Sequence, residues 1–214
     1  MTSLFPDRSQ AGKQLAEALA AYKGRKDVLV LALPRGGVPV GAEIAKALDL
    51  PMDLMLVRKL GVPGEEELAM GAVSMGGVCF LNDDIVRQLQ ISKPALDEVI
   101  ERERQELLRR NGLYRGGQPA PALKDRTVIL VDDGIATGAD MRAAVRAAKQ
   151  LGAKSVVVAV PVASDSAYAA LEREADEVIS LSIPPVFFGV GAFYEDFSQM
   201  EDDEVIALMA AVRH

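Results

Sequence analysis

Val128-Ile129-Leu130-Val131-Asp132-Asp133-Gly134-Ile135-Ala136-Thr137-Gly138-Ala139-Asp140 is the stretch from which the fold can be read. Its first four residues are apolar and mostly β-branched, the signature of a strand buried on both faces. Two carboxylates follow, then a loop of small residues with two glycines and a threonine. Met141 to Lys149 is rich in strong helix formers and ends on a basic turn. The order is therefore strand, acidic tip, small loop, helix N-terminus. A helix N-terminus leaves N–H groups unpaired and carries partial positive charge, which suits a phosphate. Gly134, Ala136, Gly138 and Ala139 let a phosphate reach the backbone, and Thr137 adds a hydroxyl. Asp132 and Asp133 suit vicinal sugar hydroxyls, or a Mg²⁺ ion bound with them. One ligand satisfies both halves: a ribose 5-phosphate moiety.

Outward from this stretch, strand and helix alternate. Val28 to Leu33 reads as a buried strand, Pro34-Arg35-Gly36-Gly37 as a loop, and Val38 to Leu48 as a helix. An arginine and two glycines at a strand end can meet an anion. Met52 to Val57 reads as the next strand, ending in Arg58-Lys59 at the edge where α/β sheets bind ligands. Ser155–Val160 and Val178–Leu181 read as strands, with a helix over 166–175 between them. The pattern predicts an α/β fold, Rossmann-like, with a five-stranded and mostly parallel sheet.

Other segments frame this core. Residues 9–22 have helical spacing, with Asp7 or Ser9 as cap. Met75-Gly76-Gly77 joins two short strands, 72–74 and 78–81, as a hairpin. Residues 83–90 read as a short helix and 94–110 as a longer one, with Leu96, Val99, Ile100 and Leu107 on one side. Glu98–Arg102 and Glu106–Arg110 are spaced to pair along it, so its arginines read as a solvated face. Gly116 to Pro121 reads as a linker. Phe187, Phe188, Phe193 and Tyr194 gather aromatics in an otherwise aromatic-poor chain, either as core or as a platform for a planar base. A helix over 202–213 closes the sequence.

Bulk properties narrow the function. The 214 residues carry a net charge of −7 and are 50% hydrophobic. That is an ordered chain without the basic face a nucleic acid requires. The single Cys79 forms no internal disulfide and reads as an apolar residue in Val78-Cys79-Phe80-Leu81. The only histidine is His214, which argues against histidine-based catalysis. No signal peptide follows Met1 and no apolar run approaches a membrane span, so a cytoplasmic location is expected. The chain lacks the Gly-Lys-Ser/Thr of a P-loop, and Gly36-Gly37 and Gly189-Val190-Gly191 fall short of a dinucleotide motif. A receiver-domain reading would need a phosphorylatable Asp at the end of a later strand; Asp165 lies beyond Pro161 and fits it poorly.

The central stretch resembles the phosphoribosyl pyrophosphate (PRPP) motif of type I phosphoribosyltransferases, and Ala136-Thr137-Gly138 resembles the adenine-type branch of that family. The resemblance implies a single domain. Its core would span about 24–182, with a flexible loop at about 60–77, a helical insertion at about 82–115, and a hood and C-terminal helix at about 183–214. It implies transfer of a 5-phosphoribosyl group from PRPP to a nitrogenous base with release of diphosphate, Mg²⁺ as cofactor, and a homodimer. By the same resemblance, residues Gly134, Ile135, Ala136, Thr137, Gly138, Ala139 and Asp140 hold the 5′-phosphate. Arg35, Gly36, Gly37, Arg58 and Lys59 meet the diphosphate. Asp132 and Asp133 hold the ribose hydroxyls and, through them or water, the metal. Phe187, Phe188, Phe193 and Tyr194 form the base-binding hood. Catalysis is expected from Asp132, Asp133 and Arg35. Two departures stand out: Asp140 replaces the usual Ser or Thr that ends the loop, and Ala136 stands where some purine-type members carry an acid. A non-catalytic PRPP- or nucleotide-binding regulator and a PRPP hydrolase are the alternatives.

Overall fold

The computed structural model describes residues 4–212. Arg213 and His214, the expected end of the last helix and the only histidine, lie outside the described residues. The main sheet has five strands: β1 (Val28–Ala32), β2 (Met52–Leu54), β6 (Thr127–Val131), β7 (Ser155–Val162) and β8 (Glu177–Ser182). Their spatial order is β2-β1-β6-β7-β8, and every neighbouring pair is parallel. Every residue of β1 and β6 is buried, as their unbroken aliphatic runs require.

Helices cover both faces. Helices α1 (Arg8–Ala18), α2 (Gly37–Leu48), α4 (Lys93–Arg115) and α7 (Asp202–Val212) pack with Val28, Val30, Ile129 and Val131 on one side. Helices α5 (Ala139–Gln150) and α6 (Asp165–Glu172) pack with Leu29, Leu31, Val128 and Leu130 on the other. Each buried Val, Leu or Ile contributes roughly 1.5–3 kcal/mol. Side-chain caps start several helices: Asp7 accepts from the Gln10 N–H, Ser92 from Ala95 and Ser164 from Ala167.

The sequence reading needs correction in four places. The strand expected over 52–57 breaks in two. Its first part joins the parallel sheet at its edge. The second, β3 (Val57–Val62), turns away into a separate antiparallel sheet with β4 (Glu65–Ser74) and β5 (Cys79–Leu81). The Met55 N–H donates to Ala32 and the Met75 N–H to Leu56, so the break is held from both sheets. Second, much of the segment expected as a loop, 60–77, is paired strand, turning at Gly64. Third, α4 is longer than foreseen and ends where Gly116 adopts a left-handed conformation. Of its two expected ion pairs, Glu106–Arg110 forms at 2.8 Å, whereas Arg102 pairs with Glu103. Fourth, β7 runs through Pro161. Its register with β8 passes from Val160–Ser180 to Val162–Ser182 and skips Pro161, where the missing N–H interrupts the ladder. The short helix α3 (Asp83–Gln88) and the hairpin at Gly76-Gly77 are as read from the sequence.

Candidate active site

Strands β1 and β6 are neighbours, yet the helices that follow them lie on opposite faces of the sheet. Such a switch point opens a crevice at the carboxyl ends of the two strands. Both sequence-predicted loops flank it.

The first loop is Leu33 to Gly37. The Leu33 N–H donates to Val131, and the peptide between Pro34 and Arg35 is cis. Gly36 and Gly37 are demanded by packing. A Cβ on Gly36 would lie 2.1 Å from Asp133 Oδ2, and one on Gly37 would lie 2.5 Å from the Val131 carbonyl oxygen. The Gly37 N–H is used inside the loop, donating to Leu33 at 3.0 Å. Arg35 is a third exposed and lies 3.7 Å from Asp202 and 3.9 Å from Glu201, the acids at the start of α7.

The second loop follows β6. The Asp133 N–H donates to Asp132 Oδ1 at 2.9 Å. Gly134 sits under the hood, where a Cβ would lie 2.5 Å from Val190. Ile135 is buried and pairs with the end of β7, its N–H donating to Val162. Its place is therefore the anchor of the loop, not its concave face. Ala136 and Thr137 are exposed, and Gly138 takes a left-handed conformation at φ 75° to start α5. Among the described residues, no acceptor is seen for the N–H groups of Ala136, Thr137, Gly138, Asp140 and Met141. Ala139 donates only to Thr137 Oγ1, at 3.4 Å. That set of donors at a helix start is an anion cradle. Asp140 is exposed in the first turn of α5, where an acid suits the helix.

The acidic pair is more enclosed than the sequence suggested. Burial, and then the charge of Asp133, push the Asp132 carboxyl well above the usual carboxylate range. Burial also raises Asp133, against the opposing pull of Arg8. Arg8 Nε donates to Asp133 Oδ2 at 2.8 Å, and the two side chains are only 11% and 13% exposed. The same guanidinium lies 3.9 Å above the Phe197 ring and donates through Nη1 to the Ser198 carbonyl. Arg8 escaped the sequence reading, as did Ser164, whose Oγ and N–H hold the Ala136 and Ile135 carbonyls. No local motif marks either one; each acts across the fold. Together Arg8, Arg35, Gly36, Asp133, Gln199 and Met200 line most of a cavity of about 420 Å³.

Arg58 and Lys59 do not join that cavity. Both lie inside β3, because the chain leaves the parallel sheet before reaching them. Arg58 pairs with the buried Glu103 at 2.8 Å. Lys59 lines a separate cavity of about 270 Å³ with Phe80, Arg142 and Arg146, reaching Ala139 at the start of α5.

The aromatic segment divides. Phe193 and Tyr194 are buried with Phe5 and Val162, and the Tyr194 hydroxyl donates to the Asp133 carbonyl at 2.6 Å. Phe187 stacks obliquely on Phe193, whereas Phe188 is 75% exposed. The platform expected of four rings thus has two in the core and one open to solvent.

A resident Mg²⁺ does not fit this pair as it stands. Asp133 gives one oxygen to Arg8, and among the described residues no three acid, thiol or imidazole side chains converge on a metal-sized site. Nor, among the described residues, is any helix long and apolar enough to cross a membrane.

A family model described as a phosphoribosyl transferase domain matches residues 5–197. A Mycobacterium tuberculosis protein, provisionally named a phosphoribosyl transferase and recorded in two strains, is 48% identical over 206 residues. The match takes in 96% of this chain but 46% of that protein, so the chain spans about half the length of these curated relatives. A crystal structure of a Thermus thermophilus protein superposes with a TM-score of 0.89 at 45% identity, covering 98% of this chain and 99% of that one. A hypothetical protein from Neisseria gonorrhoeae, solved with bound ppGpp, shares the fold alone: TM-score 0.50, 15% identity, 96% and 93% coverage.

Proposed function

The chain belongs to the phosphoribosyl transferase domain family, and from that premise we propose that it transfers the 5-phosphoribosyl group of PRPP to a nitrogen of a nucleobase, releasing diphosphate. The observation that carries the reading is the pairing of two loops across one switch point. One is a cradle of unpaired N–H groups after β6. The other is the glycine loop after β1, with Arg35 beside it. In this reading the 5′-phosphate lies against Ala136 to Met141. Asp132 and Asp133 face the ribose. Arg35 and the Gly36 backbone meet the diphosphate and stabilise the charge that builds on it as the C1–O bond stretches. Mg²⁺ enters with the diphosphate, as part of the substrate. Phe187 and Phe188 are the hood residues with surface left to offer a base, and the assembly is a homodimer.

A second reading, binding of PRPP or a nucleotide without turnover, is favoured by one observation: Asp133 is already neutralised by Arg8. The test is diphosphate release from PRPP with Mg²⁺, screened over purines, pyrimidines and a no-acceptor control, with Asp133→Asn alongside. Acceptor-dependent release that the substitution abolishes supports the transferase. Saturable binding by calorimetry with no release supports the regulator. Neither release nor binding removes both.

A further inference from the structure

We propose that Arg8 is the fixed counter-cation of the acidic pair, occupying the role that a protein-held divalent ion would otherwise fill. The proposal adds a residue to the site just described, but it does not depend on which ligand that site takes. Three contacts hold the guanidinium in place. It donates to Asp133 Oδ2 and to the Ser198 carbonyl, each at 2.8 Å, and lies 3.9 Å above the face of Phe197. A planar guanidinium suits all three at once: a carboxylate, a carbonyl and an aromatic face. Helix α1 delivers it, with the helix start pinned by Asp7 accepting from Gln10 at 2.7 Å.

The consequence lies in the charge balance. Two adjacent carboxylates at a nearly closed strand end repel each other, and burial strengthens the repulsion. A cation drawn from solvent is one remedy. This fold builds one in, and a guanidinium held on three sides leaves no room at Asp133 Oδ2 for a metal. The cavity in front is lined by the two guanidiniums, Arg8 and Arg35, and by the Asp133 carboxylate, with Asp202 and Glu201 3.7 and 3.9 Å from Arg35.

The experiment uses Mn²⁺ alone, titrated into the protein without PRPP and followed by the EPR signal of the free ion. The wild type should show no stoichiometric site. Arg8→Met should open one, at least about tenfold tighter than any wild-type binding. Adding Asp133→Asn to that variant should close it again, and Arg8→Lys, which keeps the charge, should leave it closed. A stoichiometric wild-type site that Asp133→Asn removes would overturn the proposal. So would an Arg8→Met protein with native circular dichroism and no gained site. Should that variant fail to fold, the wild-type and Arg8→Lys titrations still decide. PRPP calorimetry on the same samples is a separate arm. Absence of PRPP binding would sink the proposed function while leaving the Mn²⁺ pattern to decide on Arg8.

Discussion

Arg8 Nε and Asp133 Oδ2 meet at 2.8 Å across 125 residues of sequence, joining the first turn of the first helix to the acidic tip of the central strand. Both groups are nearly buried, so removing one strands the other. Arg8→Ala should cost about 2–4 kcal/mol, toward the lower end of what breaking a buried pair costs, because some solvent still reaches it. Asp133→Asn, which removes charge and repulsion together, should cost less. Urea unfolding of both variants checks the order; equal losses would count against the pair.

Asp132 sets a pH dependence. Its folded-state affinity for a proton exceeds that of an exposed Asp, chiefly through burial and then through the charge of Asp133. The folded state therefore holds more protons than the unfolded chain above the ordinary Asp range of about 4. The stability this group contributes is full below that range and is lost as pH rises through its raised folded value. Asp132→Asn should flatten the decline. The quantity to measure is the difference between wild type and variant at several pH values from about 4 to 8. That cancels groups of opposite sign, such as Glu106, which is lowered to about 2, first by its hydrogen bond from Arg109. A constant difference across the range would contradict the assignment.

At Gly36 the two loops are separated by little more than a hydrogen atom. In Gly36→Ala the new methyl would lie 2.1 Å from Asp133 Oδ2, so the carboxylate must move and its hold on Arg8 must loosen. The expected cost is about 1–3 kcal/mol, together with a clear loss of PRPP affinity. Unaltered thermal stability would mean that the loop shifts freely.

Tyr194 ties the hood to the site through its hydroxyl on the Asp133 carbonyl. Tyr194→Phe should destabilise by about 1–2 kcal/mol, since it leaves a partly buried carbonyl without that partner. It should also raise the KM for the acceptor base more than that for PRPP. Equal changes in both would separate the hood from acceptor binding.

Asp140 is exposed at the start of α5, beside unpaired N–H groups. Asp140→Thr should lose about 0.3–1 kcal/mol of stability, because a first-turn acid favours the helix dipole. PRPP affinity should change by less than about threefold if the carboxylate sits in solvent. A large gain would show that it repels the phosphate.

The sequence revealed those parts of the site that are local. A buried run ending in Asp132-Asp133, small residues and a helix start can be read in one window, because backbone hydrogen bonding and steric room are set by neighbours in the chain. The same holds for Arg35-Gly36-Gly37. Arg8 and Ser164 were not legible, since each acts on a loop from a distant element and looks locally like an ordinary helix start. Arg58 and Lys59 were misplaced because an apolar run shows no sign of where it changes sheets. The aromatic segment was ambiguous for a related reason: rings that cover a core and rings that face a ligand have the same composition, and only Phe188 and its partners' burial separate them.

The contacts of the N-terminal segment also bear on the order of assembly. Phe5 bridges to Tyr194, and Arg8 reaches Ser198, so Arg8 takes up its full set of contacts only when segments nearly two hundred residues apart have met. Contacts of such separation are entropically late in folding. During synthesis the central strands and both glycine loops can form while Asp133 still lacks its partner. A nascent chain halted before Phe197 emerges would hold the sheet without a finished site, so ligand binding would switch on only once the hood segment has emerged.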